Sequence, residues 1–302
     1  RGFTTNPSIC RGAGISDYMG FCKSFLESLQ KDHHDKPLSL EVFADDLPTM
    51  EKQALELASL GRNVFVKVPV TNTQGVSTVP MVERLSRAGV KLNVTAVFTK
   101  KQMDELANAF SPQEDGFSAI VSVFCGRISD AGEDPVEYAA YAKKVFACSP
   151  HVKILWASFR EVRDVVKSIE GGCDIITIPP SNFGKLKNIG KDLGTYSLET
   201  VQMFYNDAKA SGFTIPLGEA SRQLVNQNGN ANGSGEASRQ LVNQNGNANG
   251  SAKRQRSSQW WDRVAIYADG AEMSKLADCP HYVRGFTTNP SICRGAGISD
   301  YM

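Results

Sequence analysis

Lys67 stands in the run NVFVKVPVTNTQG, with Val64, Phe65, Val66, Val68 and Val70 around it. A lysine that points inward from such a strand is expensive to keep, because its ammonium leaves water among apolar neighbours. Burial favours the neutral amine, and a neutral amine attacks a ketone carbonyl to form a Schiff base. The competing reading is an edge-strand lysine facing solvent, and pattern alone does not choose between them. Two carboxylates fall in comparable places: Glu41 interrupts LSLEVFA as Lys67 interrupts its own run, and Asp269 ends VAIYAD. Each has an ordinary alternative, a solvated edge position for Glu41 and a helix N-cap for Asp269.

These residues act together only if their strands converge. Strand-like runs occupy residues 264–268, 2–5, 38–44, 64–70, 91–98, 119–124, 153–157 and 174–178, eight in all. Helical stripes separate them: Tyr18, Cys22, Phe25, Leu26 and Leu29, then Met50, Ala54, Leu57 and Ala58, then Met103, Leu106, Ala107 and Phe110. Val162, Val165, Val166 and Ile169 form a fourth stripe, and Leu198, Val201, Tyr205 and Ala208 a final one, each expected to cover the sheet. Strict alternation of strand and helix is the α/β pattern, and about 250 residues suit one (β/α)8 barrel. An open doubly wound sheet would bring a glycine-rich phosphate loop after its first strand, and no such loop is present, so the closed TIM-type barrel is expected. In such a barrel reactive groups gather at the carboxyl ends of the strands.

Exact repetition complicates the boundaries. Residues 1–19 recur unchanged as residues 284–302, and 218–234 recur as 235–251. The second unit is a polar Asn, Gln, Gly and Ser stretch with little to bury, which argues against a solenoid. We read a circularly permuted barrel. Residues 1–217 would supply strands 2–8 and their helices, 218–259 a flexible polar linker, 260–283 strand 1 and helix 1, and 284–302 a surplus duplicate. The amino-terminal copy runs unbroken into the next helix, whereas the other would cut that helix at Met302 and orphan its backbone groups. An open frame read repeatedly around a circular template would leave the same overlap.

The 33 Lys and Arg against 32 Asp and Glu give a formal charge of +1, so bulk charge calls for neither nucleic acid nor an anionic membrane. The longest apolar runs fall far short of the roughly 20 residues that span a bilayer, and no signal peptide is evident, which suggests a cytoplasmic protein. Seven scattered cysteines without CxxC spacing suggest reduced thiols rather than disulfides or zinc. His33 and His34 read as solvated. The segment AKRQRSS at 252–258 concentrates three cations and could be a grafted RNA- or peptide-binding tag, though three charges give weak, salt-sensitive affinity.

The motifs GFTTNPSI, SLEVFADD, VFVKVPVTNTQG, KLNVTAVF, VSVFCGRISDAG, ILWASFREV and IYADGAEM resemble those of the transaldolase family, on its short, fructose-6-phosphate-aldolase-like branch. They follow family order once the permutation is undone. The resemblance implies that Lys67 forms the Schiff base and that Asp269 removes or returns the sugar hydroxyl proton. It implies that Glu41 and Thr95 hold a water for carbinolamine dehydration, and that Asn6 (or its duplicate Asn289) and Asn93 grip sugar hydroxyls. Ser122 would contact substrate near the lysine, and Ser158 with Arg127 and Arg160 would hold phosphate, the two guanidiniums converging from neighbouring strand ends. No cofactor or metal is implied, because the lysine is itself the electron sink. The implied partners are sugar phosphates, and short relatives form rings through the final helix, so a homo-oligomer is possible. Glu41 and Phe124 stand where the family's aldolases show glutamine and tyrosine, which favours transfer over fructose 6-phosphate cleavage.

Overall fold

The computed structural model describes residues 2–5, 10–11, 14–32, 36–112, 117–212, 214–215, 218 and 265–269. Its strands are β1 (Phe3–Thr4), β2 (Leu38–Glu41), β3 (Val64–Pro69), β4 (Leu92–Val97), β5 (Ala119–Val123), β6 (Val152–Trp156), β7 (Ile175–Ile178) and β8 (Ala265–Asp269). All pair in parallel and close a barrel in chain order, β8 joining β7 to β1. The strand between β8 and β2 therefore comes from the amino-terminal copy of the repeated segment. The other copy, the basic segment 252–258, the region expected to hold helix 1, Asn6 and Asn289 all lie outside the described residues.

The helices are α1 (Tyr18–Asp32), α2 (Leu47–Ala58), α3 (Val79–Arg87), α4 (Lys100–Leu106), α5 (Cys125–Asp130), α6 (Pro135–Val145), α7 (Arg163–Glu170), α8 (Phe183–Leu186) and α9 (Leu193–Ser211). Their starts are legible locally. Asp46 accepts a hydrogen bond from Thr49 N at 2.9 Å, Thr99 and Gln102 cap α4 reciprocally, and Asp134 accepts from Val136 N at 3.0 Å. No helix among the described residues is long and apolar enough to cross a membrane.

Two apolar clusters divide the interior by the alternation of strand side chains. Val64, Val66 and Val68 of β3 join Met50, Ala54 and Leu57 of α2 in the large cluster between sheet and helices. Phe65 belongs instead to a small cluster with Ile120, Leu155, Ala157 and Ile175 inside the barrel, where it stacks on Phe117 at 4.7 Å. Lys67 shares the inward face with Phe65, one step nearer the carboxyl ends.

Three expectations change. β2 stops at Glu41, before residue 44, because the Gln53 side chain takes the N–H groups of Phe43 and Ala44, both at 2.8 Å, so a neighbouring strand cannot. Val165 of the expected α7 stripe is buried, with Val162 and Ile169 packed partly buried against the same core, but the helix also buries Asp164 and Ser168, which the stripe did not include. The final helix α9 forms, and the residues of its stripe are exposed, Leu198, Val201 and Tyr205 at 58, 60 and 67%. Its apolar residues, including Leu193, Met203 and Phe204, are spread around several faces, so no single buried seam arises. The helix falls in a compact unit of residues 190–257, distinct from the unit formed by 1–189 and 258–302.

Candidate active site

A cavity of about 180 Å³ opens above the inner apolar cluster, lined by Thr4, Lys67, Asn93, Thr95, Ser122, Phe124, Arg127, Leu155, Ala157, Ser158 and Thr177. Seven of the residues singled out from sequence thus meet at one place. Glu41 joins them through Lys67, whose Nζ lies 3.1 Å from Glu41 Oε2. The pairing follows from register, since Glu41 on β2 is the neighbour of Lys67 on β3, and Lys67 in turn neighbours Asn93 on β4.

The flanking valines face the helices, while the amine meets the Glu41 carboxylate in a cavity lined by polar side chains and by Phe124, Leu155 and Ala157. Both charges are largely withdrawn from water, with side-chain exposures of 12 and 16%. Removing one partner of such a pair strands the other, at a cost of about 3–5 kcal/mol.

Around this pair the polar groups are fixed by hydrogen bonds. Ser122 Oγ donates to Asn93 Oδ1 at 2.7 Å, and Asn93 Nδ2 donates to Ser39 Oγ at 3.0 Å. Asn93 therefore keeps one N–H and one lone pair of Oδ1 beyond these two bonds. Among the described residues, Thr95 Oγ1 is buried without a hydrogen-bond partner and Glu41 Oε2 has only its ion pair. The Tyr18 hydroxyl donates to Glu41 O at 3.3 Å and accepts from Glu41 N at 3.2 Å, which fixes the end of β2. Burial pushes the Tyr18 phenol far up, so it remains a donor.

The next strand ends carry the cations. Phe124, the residue before α5, packs against Phe98 at 5.4 Å and lies under the Arg127 guanidinium at 5.5 Å. Arg160 departs from the expected convergence. It does not line the cavity and is bound to Asp130, through Nε at 3.0 and 3.2 Å and Nη2 at 2.6 Å. Hydrogen bonds from Arg160 hold the Asp130 carboxyl below its usual range. Asp269 ends β8 in register with Thr4, which puts its backbone at the cavity rim.

The two non-glycine residues with left-handed backbones among those described flank this site: Ala96 at φ 58° and Ser158 at φ 67°. Ala96 lies in a bulge of β4, just past Thr95, where the register with β5 shifts. Strain of this kind costs about 1–3 kcal/mol and gathers at functional sites.

The pattern that defines the transaldolase/fructose-6-phosphate aldolase family matches residues 1–228. The chain belongs to that family. It is 35% identical over 188 residues to a probable transaldolase of Methanococcus maripaludis, spanning 62% of this chain and 80% of the relative. Similar proteins named probable transaldolase occur in Nitrosopumilus maritimus, at 34% over 61% of this chain and 77% of the relative, and in Caldicellulosiruptor saccharolyticus, at 32% over 59% and 75%. Membership in the transaldolase/fructose-6-phosphate aldolase family agrees with the barrel and makes this an enzyme of the transaldolase type.

Sequence reading missed Ser39, Thr4, Thr177 and Tyr18. Ser39 had a usable signal, since it shares the inward period of β2 with Glu41 two positions on. Tyr18 had none, because its spacing marks it only as part of an apolar stripe.

Proposed function

We propose that this chain transfers a dihydroxyacetone unit from a ketose phosphate, fructose 6-phosphate or sedoheptulose 7-phosphate, to an aldose phosphate through a Schiff base on Lys67. The observation that carries this reading is the Lys67 amine inside the barrel, 3.1 Å from Glu41 Oε2, in a cavity that Asn93, Thr95 and Ser122 also line. Glu41 accepts the ammonium proton, and the freed lone pair of Lys67 attacks the ketone carbon. The carbinolamine then loses its hydroxyl as water, assisted by a water held between Glu41 and the otherwise unpaired Thr95 hydroxyl. Asp269 takes the proton of the hydroxyl beyond the scissile bond. That carbon–carbon bond breaks, its electrons move into the imine, and an aldose phosphate departs. The enamine left on Lys67 attacks the acceptor aldehyde, Asp269 returns the proton, and water releases the new ketose.

Ser122, Asn93 and Asn6 orient sugar hydroxyls, while Arg127, Ser158 and Arg160 hold phosphate. Arg160 must exchange Asp130 for the phosphate or share itself between them. Phe124 supports transfer over release of free dihydroxyacetone, because its ring donates no hydrogen bond to a water that would protonate the enamine. We further read the chain as a permuted family member, its strand at Ala265–Asp269 carrying the motif that comes first in family order.

Borohydride reduction in the presence of fructose 6-phosphate tests the mechanism, since it turns a hydrolysable imine into a stable amine. The expected adduct maps to Lys67 by peptide mass analysis, and Lys67→Ala abolishes it. Label on another lysine, or full turnover by the alanine variant, would end this reading.

A further inference from the structure

Asp164 is a carboxylate that the mechanism above does not use, and it is only 1% exposed. It lies in the first turn of α7, next to the buried Val165. Burying a carboxylate costs several kcal/mol unless its oxygens find donors. Here Oδ2 accepts the backbone N–H of Arg160 at 2.7 Å and of Glu161 at 3.2 Å, and Lys167 Nζ lies 4.0 Å from Oδ1. The two amides follow the left-handed turn at Ser158, which takes the chain off β6 so that no strand partner can receive them. Desolvation raises the Asp164 pKa while the two backbone donors oppose the rise, so the carboxylate and the turn depend on each other.

The same turn is fixed from a second side. Gly126 of α5 packs so closely on the Ser158 carbonyl that a Cβ there would sit 1.5 Å from the oxygen, and it would meet Arg160 Cγ at 3.1 Å. The arginine stem therefore crosses α5 at Gly126 before its guanidinium reaches Asp130. The short segment from Ser158 to Arg160 is held in front by Asp130, below by Gly126 and behind by Asp164.

We propose that Asp164 is a positioning residue for phosphate recognition, its buried carboxylate holding the backbone of Arg160 next to Ser158 so that the Arg160 side chain, on exchanging Asp130, reaches the phosphate that Ser158 contacts. This rests on the reading that Ser158 and Arg160 bind the substrate phosphate. An apolar residue at position 164 would leave these two partly buried amides without the carboxylate oxygen they now share. Asparagine keeps an oxygen for those amides and loses only the charge.

The test compares Asp164→Ala, Asp164→Asn and Arg160→Ala in transfer from fructose 6-phosphate, beside borohydride trapping of dihydroxyacetone, which has no phosphate, on Lys67. Arg160→Ala and Asp164→Ala are each expected to raise the KM for fructose 6-phosphate roughly tenfold with kcat changed less than about threefold. Asp164→Asn should recover most of that loss, and both Asp164 variants should still trap dihydroxyacetone. An unchanged KM in Asp164→Ala, beside a raised one in Arg160→Ala, would overturn the positioning role and leave the phosphate reading standing. Loss of trapping together with turnover in both Asp164 variants would overturn it in favour of general folding support. An unchanged KM in Arg160→Ala would instead overturn the phosphate reading itself, and the proposal with it.

Discussion

Gly126 shows how a single hydrogen in place of a methyl group sets the site. In a helix such as α5 alanine is ordinarily better than glycine by about 1 kcal/mol. Here a Cβ would meet the Ser158 carbonyl carbon at 2.7 Å and its oxygen closer still, and backbone atoms do not swing aside as a side chain can. Gly126→Ala is therefore expected to lower the melting temperature by several degrees and sugar phosphate transfer roughly tenfold or more, measured by thermal unfolding and a coupled assay. A variant that melts higher would show that the close approach is not maintained. The motif FCGR made the arginine visible in the sequence, but nothing in it marked the glycine as the floor of a neighbouring loop. Lys67 was legible because a charge inside an apolar run is rare. Its partner Glu41 was legible as a residue and not as a contact, since that needs the register of β2 on β3.

Among elements, strand and helix types followed from periodicity, and their limits depended on side chains that periodicity does not weigh. Gln53 ends β2, and the bulge at Ala96 interrupts β4 although alanine has no preference for a left-handed backbone. The α9 stripe announced a helix correctly but could not name what would cover it. One element-level contact makes a pH prediction. Asp45, after β2, accepts Thr73 N and Thr73 Oγ1 at 2.7 Å and Gln74 Nε2 at 2.9 Å, tying its loop to the loop after β3, the Lys67 strand. Those bonds, the Thr73 amide foremost, lower the Asp45 pKa. A depressed folded-state pKa stabilises above the unfolded value of about 3.9 and loses that stabilisation as pH falls through the lower one. Asp45→Asn should therefore melt below the parent at neutral pH, and the two should converge under about pH 4. A gap that persists in acid would assign the effect to amide geometry rather than charge.

For the whole molecule, the repeated ends offer a direct comparison. Phe3 and Thr4 pair with both β8 and β2, and Thr4 lines the cavity, so residues 1–19 include a stave of the barrel. Deleting residues 284–302 should leave transfer nearly intact, whereas deleting 1–19 should remove most of it or force exchange between chains. Activity assays on monomeric fractions check this, and equal losses would defeat the assignment of the first copy to the barrel. That eight strands close a barrel was legible from their number and alternation, but which copy fills the second place in family order required the pairing itself.

The inner apolar cluster has a kinetic consequence. Leu155 and Ala157 of the inner cluster line the cavity, and most of its other lining lies toward the carboxyl ends of the strands, which form its doorway. On the proposed reading, the departing aldose and the incoming one must use that doorway in turn. The three-carbon fragment waits on Lys67 between the two visits, so no complex holds both aldoses, and the enzyme must alternate between a loaded and an unloaded form.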